Sequence, residues 1–146
     1  MQQVEKTTVK KIWWNIMPVL FLGYLIAYMD RSNLGFASIQ MNKMLGIDPL
    51  IYGFGTGIFF IGYCLLDIPS NLLIKKYGAK VWLPRIMFFW GIVSILNACI
   101  NGPVSFLIAR FMLGLAEGGF LPGAILYITY WFPVAHRARA AAVFML

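Results

Sequence analysis

Charge is what this sequence has least of. Only 12% of its 146 residues are Asp, Glu, Lys or Arg, and five of them are acids. A soluble domain is about one-quarter charged, so the composition is that of a membrane protein. Histidine occurs once and cysteine twice. That leaves no cluster with metal-ligand spacing and no disulfide framework. Cys64 and Cys99 fall in apolar runs and read as buried thiols, and His136 reads as a loop residue. No glycine-rich dinucleotide motif, P-loop or nucleophile motif is present, so neither an enzyme nor a bound cofactor is expected. The apolar runs are continuous and do not alternate, which argues against a membrane barrel. No small-residue cleavage pattern follows the first apolar run, which is also too long for a signal peptide and should be retained.

What the chain has is apolar length. It is 61% hydrophobic and 16% aromatic, with a mean hydropathy of +0.79. A helix needs about 20 residues to cross the hydrocarbon core. Four segments qualify: about Trp14 to Ile39, Leu50 to Ile74, Val81 to Ile100, and Val104 to Phe132. A fifth begins near Ala138 and stops at Leu146, so the chain reads as incomplete. The fold class is an all-α membrane bundle.

The net charge of +7 is distributed by topology and not gathered in a nucleic-acid patch. Lys6, Lys10 and Lys11 precede the first span. Lys43 is offset by Asp48 in the first link. Lys75, Lys76, Lys80 and Arg85 mark the second. The third, around Asn101 to Pro103, carries no charge, and Arg137 and Arg139 mark the fourth. The positive-inside rule then places residues 1–13 and the even links in the cytoplasm. The basic ends can also touch anionic lipid.

Glycines four apart (Gly53 and Gly57, Gly114 and Gly118, Gly119 and Gly123) are expected to let helices approach closely. Pro69 and Pro122 are expected to interrupt spans two and four.

Against this background the stretch AYMDRSNLGFA, Ala27 to Ala37, is anomalous. It puts Asp30 and Arg31 in an apolar run, and span four likewise holds Arg110 and Glu117. Each such charge costs roughly 2.5–3.5 kcal/mol at a helix centre. Four together cost on the order of 10 kcal/mol before pairing, so they must face other helices or a wet cavity. Arg110, Gly114 and Glu117 fall at i, i+4 and i+7, one helical stripe, as do Tyr24, Tyr28 and Arg31. Asp30 points about 100° away from Arg31 and can address a different partner. Tyr63 lies in mid-span with a hydroxyl that needs a partner. Asp67, near the end of span two, suits a local lock as well as a substrate contact.

Three segments carry a resemblance. YLIAYMDRSNLGFASIQMN, GYCLLDIPSNLLIKKYGAKVWLPRIM and LIARFMLGLAEGGFLPGAILYITYWFP are similar, in order, to the first span, the second span with its following loop, and the fourth span of the anion–cation symporter family. This is a branch of the major facilitator superfamily that includes organic-acid permeases of the 4-hydroxyphenylacetate, tartrate and phthalate type. The resemblance implies a twelve-span transporter with its site between two six-helix halves. Residues 14–146 would be an incomplete N-terminal half, lacking the remainder of the transporter. It implies substrate-binding roles for Tyr28, Arg31, Tyr63 and Arg110, and proton-coupling roles for Asp30 and Glu117. Bacterial inner membrane is the implied location. One departure is that Lys75 stands three residues before Gly78, where the superfamily commonly has an acid. Another is Leu113, where a glutamine often precedes the span-four glycine.

The expected function is symport of a small organic carboxylate with protons, sodium being the weaker coupling ion. An arriving carboxylate would compete for Arg31, and the deprived Asp30 would take a proton, with Glu117 beside Arg110 serving a second step. The alternative is a non-transporting membrane scaffold in which the charges pair only to fix helix register.

Overall fold

The computed structural model of the chain describes residues 2–145, apart from the side chains of residues 2–6, 37, 41 and 42. Leu146 and the Lys6 side chain, both named above, lie outside the described residues. Among those residues there are six α-helices: α1 (Gln2–Leu45), α2 (Pro49–Tyr77), α3 (Ala79–Leu96), α4 (Pro103–Glu117), α5 (Phe120–Trp131) and α6 (Val134–Met145). A 3-10 turn, Asn97–Cys99, follows α3, and no strand is present among them. Four stretches are long and apolar enough to cross a membrane: Thr7–Gln40, Pro49–Tyr77, Ala79–Cys99 and Pro103–Trp131. They coincide with the four spans read from the sequence.

The helix limits have local causes. Residues 2–13 contain neither glycine nor proline, so α1 begins at Gln2, well before its apolar run. It ends where Gly46 turns to φ 62°. Proline at the first position opens α2 and α4, where its missing N–H costs nothing. At the start of α4 the Ser105 hydroxyl accepts from the Asn101 and Gly102 backbone N–H groups, each at 3.0 Å. Gly78, at φ 82°, separates α2 from α3. Pro133 precedes α6, which therefore starts before Ala138 and carries His136 on a helix instead of a loop.

The prolines do not break the spans. Pro69 lies inside an uninterrupted α2. Span four is broken, but at Gly118–Gly119, before Pro122. Gly119 sits at φ 85°, a left-handed conformation that glycine adopts without a Cβ clash.

Packing centres on α2 against α4. A Cβ on Gly114 would overlap the Phe59 carbonyl, and one on Gly62 would lie 2.6 Å from the Phe111 carbonyl oxygen. One on Gly118 would lie 2.8 Å from the Tyr63 carbonyl oxygen. The two backbones therefore touch through glycines. Gly119 meets Ser70, and Gly123 meets Ile74 and Leu83. Gly53 and Gly57 differ from expectation, with nothing within 4 Å of an added Cβ. The glycines that α2 uses are Gly55 and Gly62, which share its other face.

Two apolar clusters fill the bundle. One joins Met17 and Leu20 of α1 to Leu83 and Ile86 of α3, Phe120, Ala124 and Ile128 of α5, and Phe144 of α6. The other gathers Ala27, Phe59, Trp90 and Leu113. Many large apolar residues stay outside, among them Phe36, Ile68, Phe88 and Ile95, as a bundle solvated by lipid requires. Cys64 and Cys99 are also exposed free thiols. An apolar run predicts burial only where the solvent is water, and this chain's solvent is hydrocarbon.

Candidate functional site

The four intramembrane charges are distributed over two places. Arg31 leaves α1 toward the end of α4, where its Nη2 donates to Glu117 Oε1 at 2.7 Å. This is the one ion pair among the described residues. The Glu117 side chain is 2% exposed and that of Arg31 is 42% exposed, so the pair has a sealed end and an open end. The Arg31 guanidinium also lies 5.5 Å from the Tyr63 ring centre and 5.6 Å from that of Phe59, close enough for a cation–π contribution from each.

Glu117 is the last residue of α4. A helix C-terminus carries partial negative charge, so this end opposes an acid and Arg31 is the cation that answers it. The break at Gly118–Gly119 then turns the chain so that Phe120 and Leu121 close the floor. Tyr24, Ala27, Tyr28, Arg31, Tyr63, Glu117, Phe120 and Leu121 line a cavity of about 20 Å³. Four of the six residues expected from the sequence thus meet at one spot: Tyr28, Arg31, Tyr63 and Glu117.

Asp30 and Arg110 sit apart from it. Asp30 accepts from Trp90 Nε1 and from Ser94 Oγ, both at 3.2 Å. Arg110 donates to Asn97 Oδ1 at 3.4 Å, and its guanidinium lies 5.8 Å from the Phe106 ring. Asp30 does address a different partner from Arg31, as the 100° offset implies. The expected compensation of Asp30 by Arg31, and of Glu117 by Arg110, is replaced by a cross-helix pair between Arg31 and Glu117. The reason is geometric: Asp30 and Arg31, adjacent on α1, point about 100° apart, and Arg110 and Glu117, seven residues apart on α4, stand about 10.5 Å apart along the helix.

The sequence reading placed span three but assigned no site residue to it. Trp90 and Ser94 of α3 and Asn97 of the turn that follows fall at i, i+4 and i+7, a polar stripe in the apolar second half of the span, and they hold Asp30 and Arg110. That stripe was the available signal. Asp67 Oδ1, Arg110 Nε and Glu117 Oε2 are buried atoms with no hydrogen-bond partner among the described residues.

Interrupted helices with charged groups at the break recur in the superfamilies of membrane carriers. The Major Facilitator Superfamily profile matches residues 20–146, and the chain belongs to that superfamily. It is 49% identical over 142 residues to a candidate tartrate transporter of Agrobacterium vitis, covering 97% of this chain and 32% of that protein. It is 45% identical over 142 residues to a quinolone resistance transporter of Acinetobacter baumannii, covering 97% and 33%. It is 38% identical over 138 residues to the inner membrane transport protein RhmT of Escherichia coli, covering 94% and 32%. The chain spans about one-third of the length of these relatives.

Proposed function

We propose that the full-length carrier containing this chain moves an organic carboxylate anion together with protons. The observation that carries the reading is the Arg31–Glu117 pair, sealed at the acid and open at the base. A substrate carboxylate approaching the open side of Arg31 can accept two parallel N–H bonds, displacing Glu117. Glu117 is then a buried acid without its cation, and an unpaired buried charge costs about 3–5 kcal/mol. Taking a proton removes that cost. The loaded site then carries substrate anion, arginine and a neutral acid, and the empty site carries the closed ion pair. Both are compact and near neutral, which suits reorientation across the membrane.

This reading makes Glu117 the first coupling acid and Asp30 the second. Asp30, held by Trp90 and Ser94 beside Asn97 and Arg110, stands at the rim of α3, with Arg110 as the further basic contact. Tyr28, mostly exposed, and Tyr63 supply hydroxyls beside Arg31. The cavity of about 20 Å³ has room for about one water. The substrate therefore occupies the open side of Arg31, with its other wall supplied by the remainder of the carrier. The relatives' names, tartrate and quinolone, are compatible with a carboxylate-bearing cargo. The name of RhmT and the alternating basic links support a bacterial inner membrane with the N-terminus in the cytoplasm.

The scaffold reading requires charges closed on each other, and the exposed face of Arg31 argues against it. The deciding experiment is uptake of labelled tartrate, an aromatic carboxylate and a quinolone into vesicles bearing the full-length carrier, with a proton or a sodium gradient. Accumulation that collapses with a protonophore supports the reading. Accumulation that follows only sodium replaces the coupling ion, and no uptake of any carboxylate rejects the substrate class.

A further inference from the structure

Phe59 of α2 has neither charge nor hydroxyl, yet it stands against both places that hold the intramembrane charges. Its side chain is buried, 6% exposed. A Cβ on Gly114 of α4 would overlap its carbonyl, so its backbone lies against the helix that ends in Glu117. Its ring centre lies 5.6 Å from the Arg31 guanidinium carbon and 6.2 Å from the Tyr63 ring. Ala27, Trp90 and Leu113 belong to the same apolar cluster, and the Trp90 indole is a donor to Asp30. One residue thus meets α4 through its backbone and the cation of α1 through its side chain.

That placement matters because Arg31 is long, has many rotamers to lose and is 42% exposed. While Glu117 accepts from Nη2, the ion pair fixes the guanidinium. Once an arriving carboxylate has displaced Glu117, that anchor is gone. The rings of Phe59 and Tyr63 remain. An aromatic face attracts a cation through its quadrupole and occupies none of the five N–H donors of the guanidinium. A carboxylate site needs that combination: the cation kept in place, with its hydrogen-bonding edge free. Tyr63 also brings a hydroxyl to the site, whereas Phe59 has only its ring to offer.

We infer that Phe59 is a positioning residue for the carboxylate site, its buried ring holding Arg31 in the binding pose after Glu117 has been displaced, a role that rests on the transport reading above. Phe59 acts on the cargo only through Arg31. The apparent affinity of a site falls with the fraction of protein in its competent form. Loosening Arg31 therefore raises KM and leaves the rate at saturating substrate unchanged.

The test replaces Phe59 in the full-length carrier with a trifluorinated phenylalanine, introduced by stop-codon suppression. Fluorine withdraws electron density from the ring face and nearly keeps the ring's shape. Equilibrium exchange of labelled tartrate and of a labelled aromatic carboxylate in proteoliposomes gives KM and the saturating rate. The trifluorinated ring should raise KM about 5-fold, the size of one partly exposed cation–π contact, with the saturating rate kept. A monofluorinated ring should fall between it and wild type, and F59L should raise KM at least as much. A KM indifferent to fluorination overturns the positioning role. Thermal unfolding without substrate is the second readout: the trifluorinated ring should lower Tm when Arg31 is present and leave it unchanged in an R31M background. Equal Tm shifts in the two backgrounds overturn the ring's hold on the cation. A wild type that exchanges no carboxylate rejects the transport reading and the positioning role with it, and the unfolding cycle shows separately whether the ring holds Arg31.

Discussion

Arg31 and Glu117, separated by 86 positions in sequence, are joined at 2.7 Å, and Glu117 terminates a helix whose end does not favour an acid. If that pair is the empty form of a carboxylate site, removing the base removes the site. R31A in the full-length carrier should abolish saturable carboxylate binding. R31K should lose about 10- to 100-fold in affinity, since an ammonium cannot reproduce the paired N–H geometry and a charged hydrogen bond contributes about 1.5–3 kcal/mol. Equilibrium binding of labelled substrate to purified carrier reads both.

The glycines make a prediction that contrasts two positions on paper alike. G114A would drive a methyl into the Phe59 carbonyl, with backbone on both sides and no side chain able to yield. Overpacking of this kind costs about 1–3 kcal/mol. G57A meets open space and should be neutral or slightly stabilising, because alanine favours helix. Thermal unfolding of the detergent-solubilised carrier should separate the two variants clearly.

Asp30 is held by two donors on α3. W90F and S94A should each destabilise by about 0.5–1.5 kcal/mol when Asp30 is present, the net contribution of one hydrogen bond to a half-buried acceptor. In a D30A background both losses should shrink. A double-mutant cycle by chemical denaturation isolates that coupling, and fully additive losses would mean that the contacts are incidental.

Topology can be read chemically. In a carrier without Cys64 and Cys99, a cysteine at Lys76 should react with an impermeant maleimide only in inside-out vesicles. A cysteine at Asn101 should react only in right-side-out cells. Both reacting from the same side would overturn the orientation drawn from the basic links.

The spans were legible because lipid imposes a length that composition records directly: about 20 apolar residues mark each span whatever its neighbours. The charged residues were legible for the converse reason, since Asp30, Arg31, Arg110 and Glu117 cost too much to be accidental. Partner choice was not legible. Adjacent Asp30 and Arg31 suggested mutual compensation, but Arg31 meets Glu117, 86 positions away, through tertiary packing that spacing along one helix does not encode. Three-dimensional contact, not spacing, separates Gly62 and Gly114 from Gly53 and Gly57. The break in span four was assigned to the conspicuous Pro122, yet it falls at Gly119, where positive φ and the nearby Ser70 leave no space for a Cβ. The polar stripe of α3 was visible in principle, and it was passed over because none of its members is charged.

The central claim is that Glu117 carries the proton that the anion's arrival demands. The most direct measurement is paired transport by E117Q in proteoliposomes: accumulation of labelled carboxylate driven by a pH gradient, against exchange with unlabelled substrate at equal pH. The account predicts that E117Q keeps exchange and loses gradient-driven accumulation. An E117Q carrier that still concentrates its substrate from a pH gradient alone, to the wild-type level, would contradict it.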